Sequence, residues 1–288
     1  MRRVLYFILP VLIILGLAGF AKRDELILDA VGMKAKRGSL EEREALLAPA
    51  MQFFIPEGRE GPFPAVIQFH GCAGIRQPFM EQWAKVANEA GYMAVVVDSF
   101  GPRGITRDVA LKTVCEGTML LGQERAGDVL AAYDIVRKRS DVDASKIVLA
   151  GWSHGGWSVL DFIALDPPRR WPAGLAHETL QPVEPAGFIG VYPYCGLGNW
   201  SKAVGWRKPL KGLMLIAGVD TIVDPKECPA LAEKLNAKGA DIEVDIYPDA
   251  DHVFDDPYLE DEYKDLYNAR DHAEAAARYK AFLEEIKG

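Results

Sequence analysis

The sequence predicts an α/β fold, a doubly wound and mostly parallel sheet with helices on both faces. Two observations carry that prediction. From residue 64 onward, short apolar runs alternate with segments of helical periodicity, the pattern of strand, crossover helix and next strand. At residues 146–150 one such run leads into Gly151-Trp152-Ser153-His154-Gly155-Gly156 and then into an apolar segment over 157–160, so a buried strand, a glycine-flanked turn and a helix follow one another. Glycines beside the serine suit a turn too tight for side chains, one that holds Ser153 Oγ out at the carboxyl end of the sheet.

The elements follow in order. Residues 22–48 form a charged lead-in with a short helical stretch over 40–47. An early strand is expected at 51–56, a polar turn at 57–62, and an apolar strand at 65–69 that ends in His70-Gly71-Cys72-Ala73-Gly74. A helix over 78–90 carries Phe79, Trp83, Val86 and Ala87 on one face and is closed by Gly91. A strand at 92–97 runs into the turn-rich loop Asp98-Ser99-Phe100-Gly101-Pro102-Arg103-Gly104. The helix over 123–139 places Val129, Leu130, Tyr133 and Val136 at helical spacing. Between 166 and 185 the pattern lapses into Pro-Pro-Arg-Arg-Trp-Pro and mixed polar residues, a length that suits a lid or a substrate-binding excursion. Strands at 187–192, 213–217 and 242–247 and helices at 229–238 and 272–286 complete the chain, the last with Ala275, Tyr279, Phe282, Leu283 and Ile286 on an apolar stripe. The expected division is 1–21 as signal or anchor, 22–48 as lead-in and 49–288 as one domain.

Composition agrees with one large core: 288 residues, 49% hydrophobic and 26% charged. A net charge of -8, a pI near 5.3 and the lack of a basic patch argue against a nucleic-acid or anionic-membrane partner. The first 21 residues stand apart. Arg2 and Arg3 precede an almost wholly apolar run over 4–20, and Gly19-Phe20-Ala21 offers small residues at a cleavage position. This reads as a secretory signal or, uncleaved, as a membrane tether through residues 4–21, and it places the domain in a periplasmic or other extracytoplasmic space. No cysteine stands near Ala21, so a lipoprotein anchor is not indicated.

Four cysteines, Cys72, Cys115, Cys195 and Cys228, therefore sit in a compartment where disulfides persist. Four allow three pairings and spacing does not choose among them; Cys72 with Cys115 and Cys195 with Cys228 is the expectation adopted. Their spacing fits no zinc pattern and no H-E-x-x-H occurs, so neither metal nor cofactor is expected.

In a doubly wound sheet, ligands meet the carboxyl ends of the strands. Ser153 is the first candidate there, against its plain reading as a helix-capping serine. Asp220 follows the strand ending at 217 and suits an acid that orients a histidine; Asp224, four residues on, competes with it. His252, after the last strand, is the expected base and comes third in the order Ser, Asp, His. His177, His272 and His154 are weaker alternatives. Neutral His252 takes the serine proton during attack and returns it to the leaving group, while Asp220 fixes the imidazole tautomer. The backbone N–H groups of His154 and Cys72 stand where oxyanion donors belong.

These motifs, with Tyr192-Pro193-Tyr194-Cys195, resemble the dienelactone hydrolase family of α/β-hydrolases, in particular an exported branch with a serine nucleophile. The likeness spans about residues 64–255. It implies an esterase or lactonase mechanism on a small-molecule ester or lactone, with Ser153, Asp220 and His252 as triad. Two departures stand out: the family's namesake enzymes use cysteine where Ser153 stands, and the Asp220 segment is one residue longer, which keeps Asp224 open as the acid. Arg103, beyond a strand end, is a candidate for binding a substrate carboxylate or for an ion pair with Asp98 or another acid. Cys72 after His-Gly suits a backbone donor better than a nucleophile. The rivals are a peptidase or amidase of the same fold and a non-catalytic, envelope-anchored binding domain. Acyl length, natural substrate and oligomeric state are not encoded in these patterns.

Overall fold

The central apolar runs become strands buried on both faces, as a sheet clothed by helices requires. In the computed structural model, which describes residues 38–167, 169–177 and 183–288, the strands are β1 (Met51–Phe54), β2 (Phe63–Phe69), β3 (Met93–Val97), β4 (Val142–Trp152), β5 (Gly187–Val191), β6 (Lys211–Ala217) and β7 (Asp241–Tyr247). They form one sheet in the order β1-β3-β2-β4-β5-β6-β7. β1 pairs antiparallel with β3, and every other adjacent pair is parallel. The expected signal or anchor at 1–21 and most of the lead-in lie outside the described residues.

The helices are α1 (Leu40–Leu47), α2 (Gln77–Glu89), α3 (Arg107–Thr113), α4 (Gly122–Arg137), α5 (His154–Ile163), α6 (Trp200–Val204), α7 (Glu227–Asn236) and α8 (Ala269–Lys287). Successive strand residues point to opposite faces, so Ile67, Phe69, Val95 and Leu149 pack with α1, α4, α5 and α7, whereas Val66, Val96, Ala150 and Trp152 pack with α2 and α8. Trp83 of α2 and Tyr279 of α8, with ring centroids 5.0 Å apart, fill the second layer, and Gln68 of β2 donates to the Tyr279 hydroxyl at 3.0 Å. Each such buried apolar side chain contributes roughly 1.5–3 kcal/mol relative to exposure. α1 opens on a capping box between Ser39 and Glu42 and buries Leu40 and Leu47 in the first layer, so the end of the lead-in shares the domain's core.

Two helices escape periodicity. α3 buries only Ala110 and is held by its Thr106 cap, and α6 is five residues long behind an Asn199 cap, so neither carries a stripe long enough to register. The described part of the 166–185 excursion is packed down: Trp171 and Leu175 are buried, Ala173 N–H donates to Gln123 at 3.0 Å, and Gly38 bridges to Leu175. Disulfides join Cys72 to Cys115 and Cys195 to Cys228, the pairing adopted from the sequence. They fit an oxidising compartment. No helix among the described residues is long and apolar enough to cross a membrane.

Candidate active site

The turn from β4 into α5 brings the serine forward. Ser153 sits at φ 51 and ψ -116, a conformation side chains rarely adopt, held on both sides by backbone hydrogen bonds: Ser153 N–H to Val191 at 2.9 Å and Trp157 N–H to Ser153 at 3.1 Å. Strain of this kind costs on the order of 1–3 kcal/mol and persists where the surroundings enforce it. Glycine is required around it. A Cβ on Gly151 would stand 2.4 Å from the Gly155 carbonyl carbon, and one on Gly155 would stand 2.1 Å from the Phe69 oxygen.

Two further strand-end loops meet Ser153. His252 Nε2 lies 3.0 Å from Ser153 Oγ, and His252 Nδ1 lies 2.7 Å from Asp220 Oδ2. With the ring donating from Nδ1 to the carboxylate, Nε2 is left to accept the serine hydroxyl. The Asp220 and His252 side chains are nearly fully buried, at 1% and 8% exposure, so the interactions act with little screening from water. Asp224 is not brought to His252; its Oδ1 accepts Lys226 N–H at 3.0 Å, within its own turn. His177 stacks on Trp171, His272 lies against Trp83 and Tyr267, and His154 faces Arg125.

The loops that carry the pair are clamped by residues that sequence reasoning missed. Asp251 accepts Thr221 N–H at 2.7 Å and the Thr221 hydroxyl at 3.0 Å, tying the Asp220 loop to the His252 loop. Asp255, fully buried, accepts the Tyr192 hydroxyl at 2.6 Å and Trp152 Nε1–H at 3.0 Å. Burial pushes its carboxyl up to about 7, against the opposing pull of those two donors. The Tyr192 ring in turn lies 4.5 Å from the His252 ring.

A buried cation stands behind the serine. Arg125 of α4 donates from Nη1 to the His70 carbonyl at 2.8 Å and to His154 Nδ1 at 3.2 Å, and from Nε to Ser99 Oγ at 3.1 Å. Burial first, and the Arg125 charge second, hold both His70 and His154 well below the usual imidazole range, so both rings stay neutral. Arg125 thereby contacts both segments of the expected oxyanion site: His70 lies two positions before Cys72, and His154, itself an expected donor, opens α5, where backbone N–H groups lack intrahelical partners. A Cβ on Gly71 would stand 3.6 Å from Ser153 Cβ, so the Gly71-Cys72 turn runs alongside the serine.

The structure does not bring Arg103 to the site. Its Nη2 lies 2.7 Å from Asp128 Oδ1, which Arg43 shares at 2.6 Å. Burial opposes ionisation of Asp128, but the two guanidinium groups hold its carboxyl below the usual range. The ion pair is thus with Asp128 and not Asp98, because Asp98 Oδ1 is taken by the Phe100 and Gly101 N–H groups, at 2.9 Å each. Of the two expectations for Arg103, the ion pair with an acidic neighbour is the one present, and the neighbour is Asp128.

Ser153, His154 and Cys72 open onto a cleft of about 940 Å³ whose walls include Leu121, Trp157, Ala173, Tyr194, Leu197, Ile222 and Val223. Ala173 brings the 166–185 excursion to that wall, and the Cys72–Cys115 disulfide forms part of it. Among the described residues no cluster of three metal-ligating side chains occurs.

Comparison with known proteins divides the chain in two. The model of the Prolyl oligopeptidase family matches residues 78–183, around the serine turn, and that of the Dienelactone hydrolase family matches 188–287, which hold Asp220 and His252. "Putative carboxymethylenebutenolidase" of Salmonella typhi is 25% identical over 213 residues, covering 70% of this chain and 72% of that protein. "Probable dipeptidyl-aminopeptidase B" of Podospora anserina is 29% identical over 205 residues, but the match spans 66% of this chain and only 22% of that longer protein. Among solved structures, a dienelactone hydrolase-like promiscuous phosphotriesterase from metagenomic libraries superposes with TM-score 0.64 at 19% identity, over 82% of this chain and 92% of the other. An esterase of Thermogutta terrifontis does so with TM-score 0.59 at 16% identity, over 82% and 89%. At these identities the structural likeness shows the fold.

Proposed function

This chain belongs to the dienelactone hydrolase family of the α/β-hydrolase superfamily, and from that premise we propose that it is a serine hydrolase cleaving carboxylic esters or lactones through an acyl-serine intermediate. The observation that carries the reading is the continuous hydrogen-bonded line from Ser153 Oγ through His252 to Asp220, with both contacts at 3.0 Å or less.

In the proposed reaction, Ser153 Oγ bonds to the ester carbonyl carbon as its proton passes to His252 Nε2. The carbonyl π pair moves onto oxygen, where the Cys72 and His154 N–H groups stabilise it, each worth on the order of 3 kcal/mol of barrier. Asp220 stabilises the imidazolium. The tetrahedral centre collapses, the carbon–oxygen bond to the alcohol breaks, and the departing oxygen takes the proton from Nε2. Water then repeats the sequence on the acyl-serine, giving the acid and restoring the hydroxyl. In a lactone the leaving alcohol stays tethered to the acyl group.

Turnover of p-nitrophenyl acetate by the protein lacking residues 1–21, and its loss by at least about 10,000-fold in Ser153→Ala with an unchanged melting temperature, tests this reading. Near-wild-type activity of that variant refutes it. The match to dipeptidyl-aminopeptidase sequences favours an amidase as second reading. An amine leaving group demands stronger acid catalysis from His252, so hydrolysis of peptide anilides as fast as of esters would favour it. Export to an oxidising compartment belongs to the same proposal, supported by the two disulfides, with residues 4–21 as its signal or tether.

A further inference from the structure

We infer that the cleft at Ser153 selects uncharged esters with apolar or aromatic acyl groups and rejects acyl groups that end in a carboxylate; this rests on the reading of Ser153 as nucleophile. Three observations support it.

The first is the wall. Trp157 and Tyr194 stand with ring centroids 4.8 Å apart and form an aromatic corner on the same wall as Leu121 and Val223, with the Tyr194 hydroxyl turned to the Leu197 carbonyl at 2.9 Å. A volume of about 940 Å³ accommodates a chain or ring far larger than acetyl. The second is the mouth. Leu197 is 91% exposed and Ile222 69% exposed, and both line the cleft. Large apolar side chains left in water at the rim of a concavity gain when an apolar acyl group covers them.

The third is charge. The charged residues on the described wall are Glu116, Glu227 and Lys202, and the Lys202 ammonium is ion-paired with Glu227. The wall therefore carries an excess of negative charge. Arg103, the cation of the loop that follows β3, is committed to Asp128. A carboxylate carried into this cleft sheds water without gaining an unengaged cation among the described wall residues, and it meets Glu116, the one wall charge left over once Lys202 and Glu227 are paired. An apolar chain gains with every methylene buried.

The test compares p-nitrophenyl acetate, p-nitrophenyl hexanoate, the p-nitrophenyl monoester of adipic acid and its methyl ester at neutral pH, with fluorophosphonate labelling run in parallel. Hexanoate is expected to exceed acetate in kcat/KM by roughly two- to fourfold per added methylene. It is expected to exceed the adipate monoester by at least about 100-fold, with the methyl adipate within about tenfold of hexanoate, so that charge and not length or polarity sets the difference. Ile222→Arg, at an exposed position, is expected to narrow the hexanoate-to-adipate ratio by about fivefold through a cation at the mouth. Adipate monoester turned over within about threefold of hexanoate, or hexanoate no better than acetate, overturns the inference. If Ser153 labels but hexanoate is not hydrolysed, the substrate class alone falls; if Ser153 does not label and no ester is cleaved, the hydrolase reading falls with it.

Discussion

Asp220 divides its carboxylate between two tasks: Oδ2 lies 2.7 Å from His252 Nδ1, while Oδ1 accepts the N–H groups of Ile222 and Val223, at 2.9 Å each. The second task aims the first, because the two backbone donors fix the plane of the carboxylate against the ring. Asp224 closes a local turn and leaves His252 untouched.

Asp220→Asn therefore keeps the backbone acceptor but presents the wrong partner to Nδ1. It is expected to lower kcat by about 1,000- to 10,000-fold, as loss of the tautomer-fixing acid does in serine hydrolases. Asp224→Asn is expected to stay within about threefold of wild type. Steady-state kinetics of both variants decide the matter, and a larger loss in the second reverses the assignment.

Ser153, Asp220 and His252 were legible because each stands in a strand-end loop where a doubly wound sheet delivers its ligands, in an order that fold imposes. Alternation of apolar runs gave six parallel strands and the main helices for the same reason. What stayed hidden works across the chain. Asp251 meets Thr221 30 residues away, Arg125 meets His70 55 residues away, and Asp255 meets Trp152 103 residues away. No local pattern encodes such pairs. Arg103 shows the converse: its strand-end loop suggested a place near the cleft, but its partner, Asp128, comes from a helix whose buried acids no periodicity flags.

Asp255 gives a pH dependence of stability. Its folded value of about 7 lies above the unfolded carboxyl value of about 3.9, so the folded protein holds the extra proton between those limits. Its contribution is full below pH of about 4 and is lost as pH rises through about 7. The stability of wild type relative to Asp255→Asn, measured by urea denaturation, is expected to fall by a few kcal/mol from pH of about 4 to 8. A flat difference across that range contradicts the assignment.

Arg125 acts on the site through His70 and His154. Arg125→Met removes the donor to the His70 carbonyl and lets the Gly71-Cys72 turn shift beside the serine. Displacements of about an ångström cost on the order of 100-fold in rate. We expect kcat to fall by about 10- to 100-fold with KM changed less than threefold, and partial recovery in Arg125→Lys. Equal loss in kcat and KM, or no recovery, would mark a purely structural role.

The two disulfides close loops whose ends are 43 and 33 residues apart in sequence. Removing either is expected to cost about 2–4 kcal/mol in chemical denaturation. The Cys72→Ser/Cys115→Ser pair is further expected to lose activity beyond that of Cys195→Ser/Cys228→Ser, because Cys72 lines the cleft beside Ser153. Equal activity of the two double variants under conditions where both are folded would remove Cys72 from the oxyanion site.

The most direct measurement is reaction of the folded protein with a fluorophosphonate, read by intact mass and peptide mapping. The account predicts one adduct per chain, on the peptide containing Ser153, absent in Ser153→Ala and formed at least about 1,000-fold more slowly in His252→Ala. An adduct on another residue, or an unmodified Ser153 in active protein, would contradict it.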